Sequence, residues 1–136
     1  MSESPDTNAG EARRWLRQSR DELNAAERLA ADPDLAPRIA CFLAHLAAEK
    51  ALKACLIARG EPLRKVHDLL VLHDLLPASL GAGFRVDDLS VLNTWLMEGR
   101  YPGDLDDATA GEAAECLSAT ARVIGEATRV VDLIGD

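Results

Sequence analysis

Residues Cys41–Gly60 read CFLAHLAAEKALKACLIARG. The stretch reads as one helix, apolar almost all round, that still carries His45, Glu49, Lys50 and Lys53, with Arg38 just before it. A helix without a polar face belongs in the middle of a bundle. Charges on such a helix must be paired or must reach water. Ile39, Phe42, Leu43, Leu46 and Ile57 form one face, and Lys50 and Lys53 share that face by angle. Leu52 and Leu56 form a second face with Arg38, His45 and Glu49. The strip left over is mostly Ala and Cys, with Arg59 at its end. The spacing predicts a helix from Pro37, which suits a first turn, to Arg59, with Gly60 as the cap.

The flanking segments supply partners for this helix. A helix over Glu11–Ala31 places Ala12, Trp15, Leu16, Ser19, Leu23, Ala26 and Ala30 in a stripe about 100° wide, as an amphipathic helix requires. Its opposite face holds Arg13, Arg17, Arg20, Asn24 and Arg28, which reads as a solvated face. Asp32-Pro33 ends it. A short helix is predicted over His67–Leu76, stopping at Pro77, then a Gly81-Ala-Gly83 loop. A fourth runs over Asp87–Glu98 on Leu89, Leu92, Trp95 and Leu96. Gly99-Arg-Tyr-Pro-Gly103 breaks the chain. Thr109-Ala-Gly-Glu112 has capping-box spacing and starts a long last helix, lined by Ala113, Leu117, Ala121, Ile124, Thr128 and Val131. No period-two run long enough for a strand occurs. The expected fold is all-α: an antiparallel helical bundle of about five helices over residues 11–134, after a loose polar tail at 1–10 that has no signal-peptide pattern.

Composition narrows the function. The chain has 136 residues and a formal net charge of −8. Residues 1–80 hold 11 Lys and Arg against 12 Asp and Glu, and residues 81–136 hold 4 against 11. An acidic chain is a poor non-specific nucleic-acid binder, because neutralising phosphates drives that binding. Aromatics are only 4%, so Leu and Ala must fill the core. Cys41, Cys55 and Cys116 form no CxxC pair, so no metal site is expected, and reduced thiols in a cytoplasmic protein are the plain reading. No apolar run is long enough to span a membrane.

Three pieces of sequence resemble the HEPN domain (higher eukaryotes and prokaryotes nucleotide-binding domain), a family of small helical bundles. The first is Ala12-Arg-Arg-Trp-Leu16, followed by Asp21-Glu-Leu23 and Ala26. The second is Cys41-Phe42 leading into His45-Leu-Ala-Ala-Glu-Lys-Ala-Leu-Lys53, then Lys65-Val-His-Asp-Leu69. The third is Arg100-Tyr-Pro-Gly-Asp104 before an Ala-rich final helix. The resemblance runs from about residue 11 to 134. It implies a homodimer and one of two roles. Many members resemble RNases, including toxins of toxin-antitoxin systems, whose motif is an Arg, four to six residues, then a His, late in the bundle. Others lack that motif and are thought to bind nucleotides or to accompany a small nucleotidyltransferase.

The three histidines are His45, His67 and His73, so Arg100 has no downstream His, and the RNase motif is absent from its usual place. Arg38 and His45 do have six residues between them and share a helix face. As a base for a 2′-hydroxyl and a cation for phosphorane charge they are the catalytic candidates, though chance spacing explains them as well. Glu49, Lys50, Lys53, His67, Asp68, Arg100 and Tyr101 are the ligand-binding candidates. Each also has a plain structural reading: Glu49 with Lys53 as an i,i+4 ion pair, Asp68 as a helix cap, and Arg100-Tyr101 as a turn anchor. His73 reads as surface or packing. No cofactor is implied. The leading expectation is a HEPN protein that binds a nucleotide or partners a nucleotidyltransferase. An RNase toxin and a purely structural interaction module are the alternatives.

Overall fold

The computed structural model describes residues 7–96 and 107–135. It contains six helices and, among the described residues, no strand. They are α1 (Asn8–Ala31), α2 (Pro37–Ala58), α3 (Leu69–Asp74), α4 (Ala78–Gly81), α5 (Val86–Asn93) and α6 (Ala110–Gly135).

Helix α2 is the hub, packed against α1, α6, α3 and α5. Between Ala44 and Leu56 only Leu46 and Lys50 are less than fully buried. Size and hydrophobicity alone would turn the large apolar residues inward, but the Ala and Cys strip is the more deeply buried side. Small residues let neighbouring helices approach until their side chains reach the α2 backbone. Ser19 Oγ donates to the Ala47 carbonyl at 2.6 Å, and Thr120 Oγ1 donates to the Ala44 carbonyl at 3.0 Å. These bonds satisfy two buried hydroxyls, as a closely packed interior demands. Ile39 and Phe42, which cannot fit so tight a seam, stay 38% and 39% exposed.

The same contacts set the directions. Asn8 lies beside Gly60, so α1 and α2 are antiparallel. Arg13 meets Asp132, and Arg20 donates to Thr128, so α1 is antiparallel to α6 as well. Ala44 meets Thr120 and Cys55 meets Ala127, so α2 and α6 run the same way. A parallel pair needs a long return connection, and α3–α5 lie on that connection.

The helix ends show why the boundaries fall where they do. Thr7 caps α1 by accepting from the Gly10 N–H at 2.9 Å, so α1 starts three residues earlier than Glu11. At the end of α2 the Gly60 N–H donates to Ile57 and the Glu61 N–H to Leu56, the paired bonds of a Schellman cap. Gly60 sits at φ 78°, left-handed backbone that favours glycine. The capping box of α6 forms in both directions, Thr109 N–H to Glu112 Oε1 at 2.9 Å and Glu112 N–H to Thr109 Oγ1 at 3.0 Å. The buried face of α6 is Ala113, Cys116, Ala119, Thr120, Val123, Ile124, Ala127, Val130 and Val131, and Ala121 is exposed. The stripe is therefore rotated by about one residue from the expected one. The expectation follows the larger side chains, whereas the seam against α2 selects the smaller ones.

Candidate functional site

The polar candidates gather where α2 faces α3 and α5. Glu49 is at the centre and is 7% exposed. Its carboxylate accepts from Lys53 Nζ at 3.0 Å, and both its oxygens lie 3.1 Å from His67 Nδ1. That contact places the proton on Nδ1 and leaves Nε2 as the free ring nitrogen. The His67 side chain is 41% exposed, while Glu49 and Lys53 are each 9% exposed. The site is thus an imidazole at the surface, oriented by a buried carboxylate that a buried ammonium neutralises.

Asp68 caps α3. Its Oδ1 accepts from the Leu70 and Val71 N–H groups and from Asn93 Nδ2. Asn93 in turn accepts from the Leu69 N–H at 3.0 Å, tying α3 to α5. Partial burial raises the Asp68 pKa, but the Asn93 and backbone donors outweigh it and hold the carboxyl below its ordinary value. Asp68 is committed to these donors, and what it offers a ligand is charge rather than a spare oxygen already in place.

His45 lies under this cluster, 1% exposed, beside Asn93 and the His67 backbone. Burial pushes its pKa down, so it is neutral. Its Nε2 is buried without a protein partner among the described residues. Arg38, by contrast, is 56% exposed at the start of α2 and reaches Asp107 at 3.6 Å. The two share a helix face by angle, yet one is in the core and the other in solvent. Lys50 points away from the cluster to α1, where it bonds to Glu22 and Gln18. His73 donates from Nε2 to the Gly81 carbonyl at 2.8 Å and packs edge-on against Phe84, a packing role. Arg100 and Tyr101 lie outside the described residues.

Two cations that sequence reasoning misses stand beside this cluster. Arg64 and Lys65 precede His67 by three and two positions, are exposed, and have no acidic partner among the described residues. The signal is present in Leu63-Arg-Lys65-Val-His67, but it reads as a fold motif until pairing shows which charges remain free. Arg59 is already paired with Glu61 at 3.7 Å. The segment leading into His67 therefore carries two cations with no acidic partner among the described residues, on a chain that is acidic overall.

A central helix packed on all sides by other helices places the protein among the small α-helical bundles. Residues 12–130 match the family model described as HEPN domain. The chain belongs to the HEPN domain family. It is similar to TT1696 from Thermus thermophilus, with a TM-score of 0.71 and 30% identity over 88% of this chain and 97% of that one. It shares its fold with ST0689, an archaeal HEPN homologue, with a TM-score of 0.70 and 23% identity over the same shares of the two chains. No curated protein matches the chain. No helix among the described residues is long and apolar enough to cross a membrane, and no described group of His, Cys, Asp and Glu could hold a metal ion.

Proposed function

We propose that this HEPN domain protein is a non-catalytic binder of a nucleotide, taken by its phosphate at the rim formed by Arg64, Lys65 and His67. The observation that carries this reading is the charge balance. Lys53 and Lys50 are neutralised by Glu49 and Glu22, whereas Arg64 and Lys65 meet no carboxylate among the described residues and shortly precede His67, whose side chain is 41% exposed. Free cations next to a hydrogen-bonding ring suit a phosphate. The separation of Arg38 from His45 supports a binding role over RNA cleavage, since a buried imidazole cannot reach a 2′-hydroxyl.

The test is a thermal-shift and calorimetric titration with a panel of nucleoside mono-, di- and triphosphates. A ligand present at about 100 times its Kd stabilises the fold by about 2.7 kcal/mol. Binding is expected in the parent chain and is lost in the Arg64→Ala, Lys65→Ala double variant. Saturable binding that survives that variant would sink the assignment.

A second reading has its own support. Glu49 orients His67 as a carboxylate orients a general base, which keeps an RNase toxin in view. RNA cleavage abolished by His67→Gln would favour it; the absence of cleavage leaves the binder. The exposed Leu35, Ile39 and Phe42 on and before α2 favour a protein contact in either case. A second copy of the chain or a small nucleotidyltransferase is the partner we propose for it. Sedimentation of the chain alone, and co-purification with a co-expressed nucleotidyltransferase, with Phe42→Asp as the disrupting control, decide between them. Three free, buried cysteines fit a cytoplasmic setting.

A further inference from the structure

A cleft of about 290 Å³ opens between the turn before α5 and the middle of α6, and it shares no lining residue with the His67 site. Phe84 and Val123 border it, but at 6% and 1% exposed they offer a ligand little surface. Its charged wall is built around Asp88, which is 5% exposed and accepts from Arg122 Nε at 2.9 Å and Nη2 at 2.8 Å. That bidentate pair fixes the plane of the guanidinium and leaves its Nη1 outside the pair, able to donate. Glu126, the other carboxylate, is bonded to Arg129 through both oxygens. Arg85 lines the cleft with no acidic partner among the described residues. Both carboxylates are thus neutralised, and one guanidinium is left over.

Two glycines line the cleft. At Gly83 a Cβ would run into the Glu126 carboxylate, so glycine is required for that side chain to lie where it does. At Gly125 an added Cβ would meet nothing within 4 Å. Packing does not call for glycine there, in the interior of a 26-residue helix where glycine is unfavourable.

We propose that this cleft binds a small organic anion, a carboxylate or phosphate monoester, held by Arg85 and Arg122. Its volume sits at the small end of ligand pockets, roughly 300 Å³ upward, which suits a ligand smaller than a nucleotide.

The test uses the full chain, isotope-labelled for amide shifts, titrated with benzoate and with phenyl phosphate. Saturable shifts are expected at the Gly83, Arg85 and Gly125 amides. Arg85→Ala should weaken binding about tenfold, the scale of one lost charge-assisted hydrogen bond. Gly125→Leu, which adds a side chain at the edge of the cleft, should weaken the shifts without lowering the melting temperature, since its site is open and leucine favours a helix. Binding of benzoate alone assigns a carboxylate, and binding of phenyl phosphate alone assigns a phosphate monoester. No saturable shift with either probe would overturn the proposal. So would shifts unchanged in both variants. Any shift of Lys65 and His67 reports the phosphate rim, so the cleft is judged on the Gly83, Arg85 and Gly125 amides alone.

Discussion

Replacing Glu49 tests whether the buried charges on α2 hold the fold or serve a ligand. Glu49→Leu removes the 3.0 Å bond to Lys53 and the 3.1 Å contacts to His67. The Lys53 ammonium is left in a position only 9% exposed. Stranding one member of a buried pair costs about 3–5 kcal/mol. Lysine can extend its stem towards water, so the lower end applies, about 3 kcal/mol. For a chain of this size that is on the order of 10 °C in melting temperature. Lys53→Met costs less, because His67 remains as a partner for Glu49. The double variant, Glu49→Leu with Lys53→Met, removes both desolvation penalties and is expected within about 1 kcal/mol of the parent. Urea denaturation followed by circular dichroism gives all four corners of the cycle. Additive single effects, or a Glu49→Leu cost under about 1 kcal/mol, would refute the reasoning, because a buried partnered pair must show coupling. Nucleotide titration of the double variant then separates fold from ligand. A stable protein that still binds places the phosphate on Arg64 and Lys65 rather than on the pair.

Other substitutions test other parts of the fold. Gly60→Ala forces an alanine into left-handed backbone at φ 78° with its Cβ 3.2 Å from Asn8, and should cost about 1–2 kcal/mol in urea. Thr109→Ala removes the α6 cap and should cost about 1 kcal/mol. Gly125→Ala, in open space, should stabilise by up to about 1 kcal/mol in the same assay. The pH profile follows from two groups. The folded pKa of His45 is below the ordinary 6.5, so the unfolded chain takes up that proton first, and its stability contribution is complete above 6.5 and lost as pH falls from there. Asp68 is held below 3.8 when folded, so its contribution persists to lower pH and is lost only below that value. His45→Leu should flatten the upper part of the profile, and Asp68→Asn the lower part.

The fold was legible because helices announce themselves locally. Periodicity, the Asp32-Pro33 stop and the Thr109–Glu112 capping box are all properties of neighbouring residues, and each of these signals found its helix. Orientation around a helix was less legible. Ile39 and Phe42 look inward-facing because they are large and apolar, but the hub of this bundle is made by what small residues permit. Ser19 and Thr120 reach α2 carbonyls only because alanines bring the backbones close. The same logic displaces the α6 stripe from Ala121 to Thr120. Hydrophobicity says which residues leave water, while closeness of approach says which of them sit at the seam.

The placement of the candidate residues was legible in part, and their charge balance was not. Glu49, Lys53, His67 and Asp68 do share one region, and Glu49 does meet Lys53. What a sequence cannot show is which charges are already spoken for. Arg38, Lys50, Lys53, Arg64 and Lys65 look alike as letters. The fold pairs Lys50 with Glu22 across two helices and Lys53 with Glu49 along one, and gives Arg38 the exposed Asp107. Only Arg64 and Lys65 of these five are left without a carboxylate among the described residues. Ligand recognition by charge depends on the remainder after internal pairing, because a neutralised ammonium offers an incoming phosphate little net attraction. That remainder lies on the irregular segment before α3, a connection held at both ends by the Gly60 cap and the Asp68 cap. A short segment fixed at both ends has less backbone entropy to lose on binding, though its Arg and Lys side chains still pay for ordering. The Lys65-Val-His-Asp stretch can therefore be read two ways at once: as the cap that starts α3, and as the place where this bundle keeps charge to spare.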